Sequence, residues 1–149
     1  MTAIILDPGP LSGLDLPNSA HPNVRFELAA TLAERDGCSG SAARTIAASA
    51  AVDPAHPILR AARFRRIRIP LADLAGAYTT DLELYLSDGD RAGYETVRAL
   101  EARYRAALPV DLILLVADPT FGWQVIDGCH RLSAADHAGR TEIEAYELL

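Results

Sequence analysis

The segment WQVIDGCHRLSAADHA, residues 123–138, decides the fold. Residues 123–126 predict a buried strand, Gly128 predicts a tight turn, and the residues that follow have the composition of a helix. The first turn of a helix leaves backbone N–H groups unpaired and carries partial positive charge, so it can bind an anion. This helix begins with a nucleophile, an acid/base group and a phosphate-binding group: Cys129, His130 and Arg131. The segment therefore predicts a site for chemistry on an anionic substrate.

The composition excludes several kinds of nucleotide site. The chain has 149 residues and a net charge of −6. It contains no lysine, so arginine supplies all of its Lys and Arg positions. Walker-type P-loops, protein-kinase sites and imine-forming sites all use a lysine, so these classes are excluded. The acidic balance disfavours non-specific binding to nucleic acid.

Cysteine content and apolar runs give an expected location. The two cysteines are too few for a disulfide scaffold. The longest apolar run, residues 112–117, is too short to span a bilayer, and no basic region precedes the apolar residues near the N-terminus. We therefore expect a cytoplasmic protein without a membrane partner.

Residues 1–60 predict an N-terminal arm followed by a helical extension. The prolines at positions 8, 10, 17 and 22 indicate an irregular arm over residues 1–22. Asn23 is a candidate cap for a helix over residues 24–35, and residues 39–41 offer a cap for a second helix over residues 42–51. Residues 61–149 predict the main domain, and we expect the two parts to form one compact unit.

The middle of the chain predicts a strand, a short element and a long helix. Phe64, Ile67 and Ile69 predict a strand flanked in solvent by arginines, with phosphate contact by those arginines as the alternative. Residues 82–86 alternate in polarity and predict a half-buried strand, with a short helix as the alternative. Residues 91–107 predict an amphipathic helix in which Glu101 pairs with Arg105.

The last forty residues predict a hairpin, a helix and a closing strand. Residues 110–117 are almost purely apolar and predict a central strand, and residues 123–126 return beside it. The following helix is predicted to end near residue 138, where Gly139 supplies a left-handed cap, and residues 142–148 predict a final strand. Helices and strands in this order indicate a mixed α+β domain.

Within this segment the sequence resembles the ParB/sulfiredoxin superfamily. The resemblance rests on Pro109-Val110-Asp111-Leu112 at the head of the apolar strand, on Gly128-Cys129-His130-Arg131, which matches the sulfiredoxin signature, and on Ala134-Ala135, Gly139 and Thr141-Glu142-Ile143. Upstream, residues 67–71 resemble the superfamily's opening strand. The resemblance covers residues 65–149 and implies a ParB/sulfiredoxin-like mixed sheet with helices, preceded by the N-terminal helical extension.

The superfamily contains several activities. Sulfiredoxins use ATP to activate a cysteine sulfinate on peroxiredoxins, whereas free-serine kinases of the same fold carry Asp-Gly-His-His-Arg at this place and phosphorylate a small amino acid. ParB proteins bind CTP and clamp DNA with an added helix-turn-helix domain, which we do not expect here. Cys129 is similar to the sulfiredoxins and Asp127 to the kinases. The resemblance thus implies ATP with Mg²⁺, and as partner either a small-molecule substrate or an oxidised-cysteine protein.

The resemblance also implies roles for individual residues. It implies catalytic roles for Cys129, Asp127 and His130, and nucleotide binding by Gly128, His130 and Arg131. Arg91 is the nearest candidate to replace the lysine of sulfiredoxins, and Thr96 is a candidate hydroxyl partner.

Elementary chemistry leaves alternatives open at the same residues. A thiol at a helix start beside a basic residue is expected to have a lowered pKa, although Cys129 can equally be a small buried hydrophobe. Asp127 can bind Mg²⁺ or a substrate hydroxyl or amine, or it can stabilise the turn. His137 lies too far along the helix to form a metal pair with His130, and we expect no zinc site.

The expected function is ATP-dependent phosphoryl transfer to an amino-acid-like small molecule. The alternatives are a sulfiredoxin-type reductase of cysteine sulfinic acid and a non-catalytic nucleotide- or partner-binding module, with DNA binding less favoured.

Overall fold

A five-stranded mixed sheet forms the centre of the protein. The computed structural model describes residues 3–149, with the backbone alone for residues 7–10. The strands are β1 (Ile4–Ser12), β2 (Arg63–Pro70), β3 (Ile113–Asp118), β4 (Gly122–Asp127) and β5 (Glu142–Leu148). Their order across the sheet is β1-β2-β5-β3-β4. β3 and β5 are parallel and the other neighbours are antiparallel, so the predicted mixed α+β class is confirmed.

Six α-helices surround the sheet in the described part of the chain. They are α1 (Pro22–Arg35), α2 (Gly40–Val52), α3 (Pro57–Ala61), α4 (Glu83–Ser87), α5 (Arg91–Arg105) and α6 (Cys129–His137). The predicted cap of α2 is confirmed, because the Ser39 side chain accepts a hydrogen bond from the Ala42 amide. The predicted cap of α1 is wrong: His21 is the capping position and Pro22 occupies the first turn, where a missing N–H costs nothing.

The helices lie on both faces of the sheet. On one face, α1, α2 and α3 pack over Phe64, Leu114 and Leu148. On the other face, α6 and a short 3-10 turn, Leu71–Leu74, pack over Ile67, Ile113 and Ala145. α5 packs against the outer side of α6 through Val97 and Ala134. Since α1 and α2 share a core with the strands, residues of the N-terminal extension reach the same sheet as the later segments.

The first strand corrects the predicted irregular arm. Ile4–Ser12 pairs with β2, although it contains Pro8 and Pro10. β1 lies at the edge of the sheet, where one side of the strand needs no ladder hydrogen bonds, and its register shifts between Ile5 and Asp7 and again between Asp7 and Leu11. Prolines are compatible with such edges and bulges, which is why a proline-based prediction failed here.

Two further predictions are corrected. The short helix that was the alternative is present as α4, residues 83–87. Leu84 is 49% exposed, whereas Leu82, just before the helix, is buried with Val97 and Ala134, so the alternating leucines do not share one buried face. The Asp81 side chain accepts a hydrogen bond from the Glu83 amide and starts this helix. β4 was expected to be buried, but it is the other edge of the sheet, and its residues range from exposed to half-buried.

Three of the four arginines of β2 pair with glutamates of β5. Arg65 contacts Glu147 at 2.7 Å, and Arg66 contacts Glu144 at 2.5 Å. Arg68 lies 3.5 Å from Glu144 and 3.6 Å from Glu142. Opposite charges on neighbouring strands stabilise the pairing of the strands, and here they offset the charges of three of the arginines that the sequence offered for phosphate contact.

No helix in the described residues is both long and apolar enough to cross a membrane.

Candidate functional site

The candidate site begins at the sharp turn between β4 and α6. Gly128 links the two elements with φ of 121°, a backbone conformation that L-residues rarely adopt. A Cβ at this position would lie 2.4 Å from Cγ2 of Ile113 and 3.3 Å from its Cα. The glycine is therefore required by its close approach to β3, whether or not a phosphate binds at the turn.

Asp127 and Arg131 form an ion pair across this turn. A terminal nitrogen of Arg131 donates to Oδ2 of Asp127. The other terminal nitrogen donates to the carbonyl oxygens of Leu112, at 2.7 Å, and Asp111, at 3.3 Å. The guanidinium thus joins the end of β4 to the segment before β3, and its terminal nitrogens are engaged by protein oxygens.

Asn18 completes this hydrogen-bond network from the N-terminal extension. Its Nδ2 donates to Oδ2 of Asp127 at 3.0 Å and to the Leu112 carbonyl at 3.1 Å. The residue is only 2% exposed. Sequence reasoning missed Asn18 because it lies in the segment predicted to be irregular; the structure puts it in a short 3-10 turn, Pro17–Ala20.

A polar groove of about 500 Å³ opens beside this network. Its walls come from the start of α1, from α5, from the segment before β3 and from the Asp127–Arg131 pair. The charged and polar side chains lining it are Asn18, His21, Asn23, Arg103, Asp111, Asp127 and Arg131. Cationic and anionic groups therefore line the same groove, which suits a small polar ligand that carries both charges.

His130 and Cys129 are both accessible to solvent at the start of α6, the thiol of Cys129 only in part. The imidazole ring of His130 lies 5.6 Å from the Tyr85 ring, centroid to centroid, at an angle of 44°. Gly128 offers no side-chain cap to the helix, so the first amides of α6 keep capacity to bind an anion. His130 can add a further donor at this position.

The Cys129 thiol belongs to a different groove from the Asp127 carboxylate. It lies 3.6 Å from the Ala77 carbonyl and lines a groove of about 830 Å³ together with Leu74, Trp123 and Val125. Partial burial and the nearby Asp127 carboxylate raise the pKa of the thiol, and they outweigh the opposing effect of Arg131. The expected lowering of this pKa is therefore wrong, because the sequence does not show the partial burial of the thiol or that the effect of Asp127 exceeds that of Arg131.

Arg91 and Thr96 make their contacts within α5. Arg91 lies 3.4 Å from Glu95 one turn along the helix, and its side chain is 80% exposed. The Thr96 hydroxyl donates to the Ala92 carbonyl at 2.8 Å. No hydrogen bond or ion pair among the described residues joins either side chain to residues 127–131, so the candidate site is built without them.

The described residues offer few side-chain ligands for a Mg²⁺ ion. They contain no group of three or more His, Cys, Asp or Glu side chains that could hold a metal ion. Oδ2 of Asp127 already accepts two hydrogen bonds. A magnesium ion here would depend on the nucleotide's own phosphates for most of its ligands.

Comparison of the chain with models of protein families, with curated proteins and with solved structures gave no match.

Proposed function

We propose that the protein transfers a phosphoryl group from ATP to a small, amino-acid-like acceptor. The observation that carries this proposal is the start of α6, where uncapped backbone amides and an exposed imidazole follow, within three residues, a carboxylate that lines a polar groove. Phosphoryl transfer depends mainly on positioning and on charge stabilisation, so it needs few specialised groups. The resemblance to the ParB/sulfiredoxin superfamily supports the same proposal.

Each residue of the motif has a stated role in this proposal. The amides at the start of α6 and the His130 ring bind the phosphates of ATP. The acceptor oxygen or nitrogen forms a bond to the γ-phosphorus, the bond from that phosphorus to the β–γ bridging oxygen breaks, and ADP leaves. The acceptor's proton passes to the Asp127 carboxylate. Arg131, which the sequence suggested as a phosphate ligand, instead keeps this carboxylate in position.

Nucleotide binding is tested by calorimetry with ATP and ADP on the wild type and on His130→Ala. We expect micromolar to millimolar binding of ATP by the wild type and a loss of about tenfold in the variant, the size expected for one charge-assisted hydrogen bond. His56→Ala, which removes an imidazole from the start of α3, is the matched control. Equal heats of binding for wild type and His130→Ala would contradict the proposal.

Turnover is tested by ADP release with a panel of hydroxyl- and amine-bearing amino acids. We expect ADP only with a suitable acceptor, and a loss of at least about 100-fold for Asp127→Asn. Asp36→Asn, an exposed aspartate after α1, should retain full activity.

The sulfiredoxin alternative assigns the chemistry to Cys129 and has less support. Its nucleophile would be a thiolate, whereas burial and Asp127 raise the pKa of this thiol. The thiol also lines a different groove from the one that Asp127 lines. Full ADP release by Cys129→Ser would exclude this alternative, and loss of sulfinate reduction in that variant would restore it.

A non-catalytic nucleotide-binding module is the second candidate function. The ion pair between Asp127 and Arg131 favours it, because Oδ2 of Asp127 already accepts hydrogen bonds from Arg131 and Asn18, which leaves only Oδ1 to take a proton. Binding of ATP by the wild type without ADP release over the whole acceptor panel would identify this function.

A further inference from the structure

Asn18 connects the N-terminal extension to the carboxylate of the candidate site. We propose that Asn18 is a positioning residue for Asp127. Its Nδ2 donates to Oδ2 at 3.0 Å, and Arg131 donates to the same oxygen. Two donors from different elements fix one carboxylate oxygen, and no hydrogen bond among the described residues engages Oδ1. This proposal rests on the proposed function, in which Asp127 accepts the acceptor's proton.

The orientation of the Asn18 amide is determined by its neighbours. Both atoms within reach of Nδ2, Oδ2 of Asp127 and the Leu112 carbonyl oxygen, are acceptors, so the NH₂ group must face them. Oδ1 of Asn18 is consequently buried with no hydrogen-bond partner among the described residues. An unsatisfied buried acceptor lowers stability. The orientation of the amide thus satisfies the two acceptors of its nitrogen, while its unsatisfied oxygen lowers the stability of the fold.

Each acceptor of Asn18 also accepts a hydrogen bond from Arg131, but the Leu112 carbonyl is fixed by the backbone, whereas the Asp127 carboxylate can rotate. The Leu112 carbonyl also accepts from Arg131, at 2.7 Å, and stays satisfied without Asn18. Without Asn18, the Asp127 carboxylate would keep only the hydrogen bond from Arg131 to Oδ2, and the carboxylate could rotate about that bond. A displacement of about 1 Å at a catalytic group can reduce the rate about 100-fold. The main consequence of losing Asn18 is therefore a less precisely placed carboxylate.

The test uses Asn18→Leu, which has a similar size and removes both the donor and the unsatisfied acceptor. We expect kcat to fall about 10- to 100-fold, while KM and calorimetric affinity for ATP stay within about twofold, because the start of α6 is unchanged. Glu27→Gln, which changes an exposed side chain of α1 outside the groove, is the control and should keep kcat. If Asn18→Leu does not fold, Asn18→Ala replaces it.

A second measurement does not depend on the reaction. Denaturant unfolding of Asn18→Leu, Asp127→Ala and the double variant gives their coupling, and we expect at least about a fivefold interaction in the unfolding equilibrium constant. Additive effects would overturn the proposal, and so would an unchanged kcat in Asn18→Leu. If the coupling is present but the wild type neither binds nor uses ATP, the proposed function fails and the positioning of Asp127 by Asn18 stands.

Discussion

The Asp127 carboxylate and the Arg131 guanidinium, one helical turn apart, are bonded to each other across the turn that joins β4 to α6. Their side chains are only 24% and 16% exposed. Arg131 also donates to the Leu112 and Asp111 carbonyls. One arginine therefore serves the structure of the turn and the electrostatics of the groove at the same time.

Replacing Arg131 with methionine should destabilise the fold. The substitution leaves the partly buried Asp127 carboxylate without its charge partner and removes donors from two carbonyl oxygens. We expect unfolding in urea to show a loss of about 2–4 kcal/mol. Arg44→Met, on the exposed side of α2, should change the free energy of unfolding by less than about 0.5 kcal/mol. Equal stability of the two variants would mean that the ion pair contributes nothing to the fold.

Gly128→Ala tests whether packing alone requires the glycine of the motif. The added Cβ would lie 2.4 Å from Cγ2 of Ile113, and φ is 121°. Backbone strain and overpacking together predict a loss of about 2–5 kcal/mol in the free energy of unfolding. Gly139→Ala is the matched control, because Gly139 also has a positive φ, 80°, but a Cβ there meets no atom within 4 Å. It should lose only about 1–2 kcal/mol, and an equal loss at both positions would contradict the close approach to Ile113.

The later half of the fold could be predicted because its signals are local. Gly128 and Gly139 bracket α6, and the apolar run of β3 is followed by a turn and a returning strand. β1 could not be predicted, because its pairing with β2 depends on residues about sixty positions away, while its prolines argue against a strand. Local patterns thus predict helices and hairpins better than edge strands.

The candidate site was predicted in part for the same reason. Asp127, Cys129, His130 and Arg131 are neighbours in sequence, so a turn was bound to bring them together. The separation of Cys129 from Asp127 into different grooves depends on Ala77 and on the N-terminal extension, neither of which the motif encodes. Asn18 reaches Asp127 across 109 positions, and only tertiary structure reveals such a contact.

The reactivity of Cys129 should reflect the raised pKa of its thiol. In a Cys38→Ser protein, alkylation of Cys129 by iodoacetamide at pH 7.5 should be slower than alkylation of a free cysteine derivative. The pH at which the alkylation rate increases should also be higher for the protein than for the derivative. Asp127→Asn should accelerate the reaction at neutral pH, since the nearby carboxylate raises the thiol pKa and Arg131 remains to lower it. Asp36→Asn serves as the control. Faster alkylation of the wild-type protein than of the free thiol would contradict this environment.

Acid should weaken the contact between β2 and β5 through Glu144. Hydrogen bonds from Arg66, with a further contribution from Arg68, hold the pKa of this carboxyl below its ordinary value of 4.5. A folded-state pKa below the unfolded one contributes stability that is complete above the unfolded value and is lost as pH falls through the folded value. Urea unfolding at a series of pH values from 6 to 3 should therefore show a smaller loss of stability in Glu144→Gln than in the wild type. Glu34→Gln, exposed on α1, is the control, and parallel pH profiles for wild type and Glu144→Gln would show that these arginines do not stabilise the ionised carboxyl.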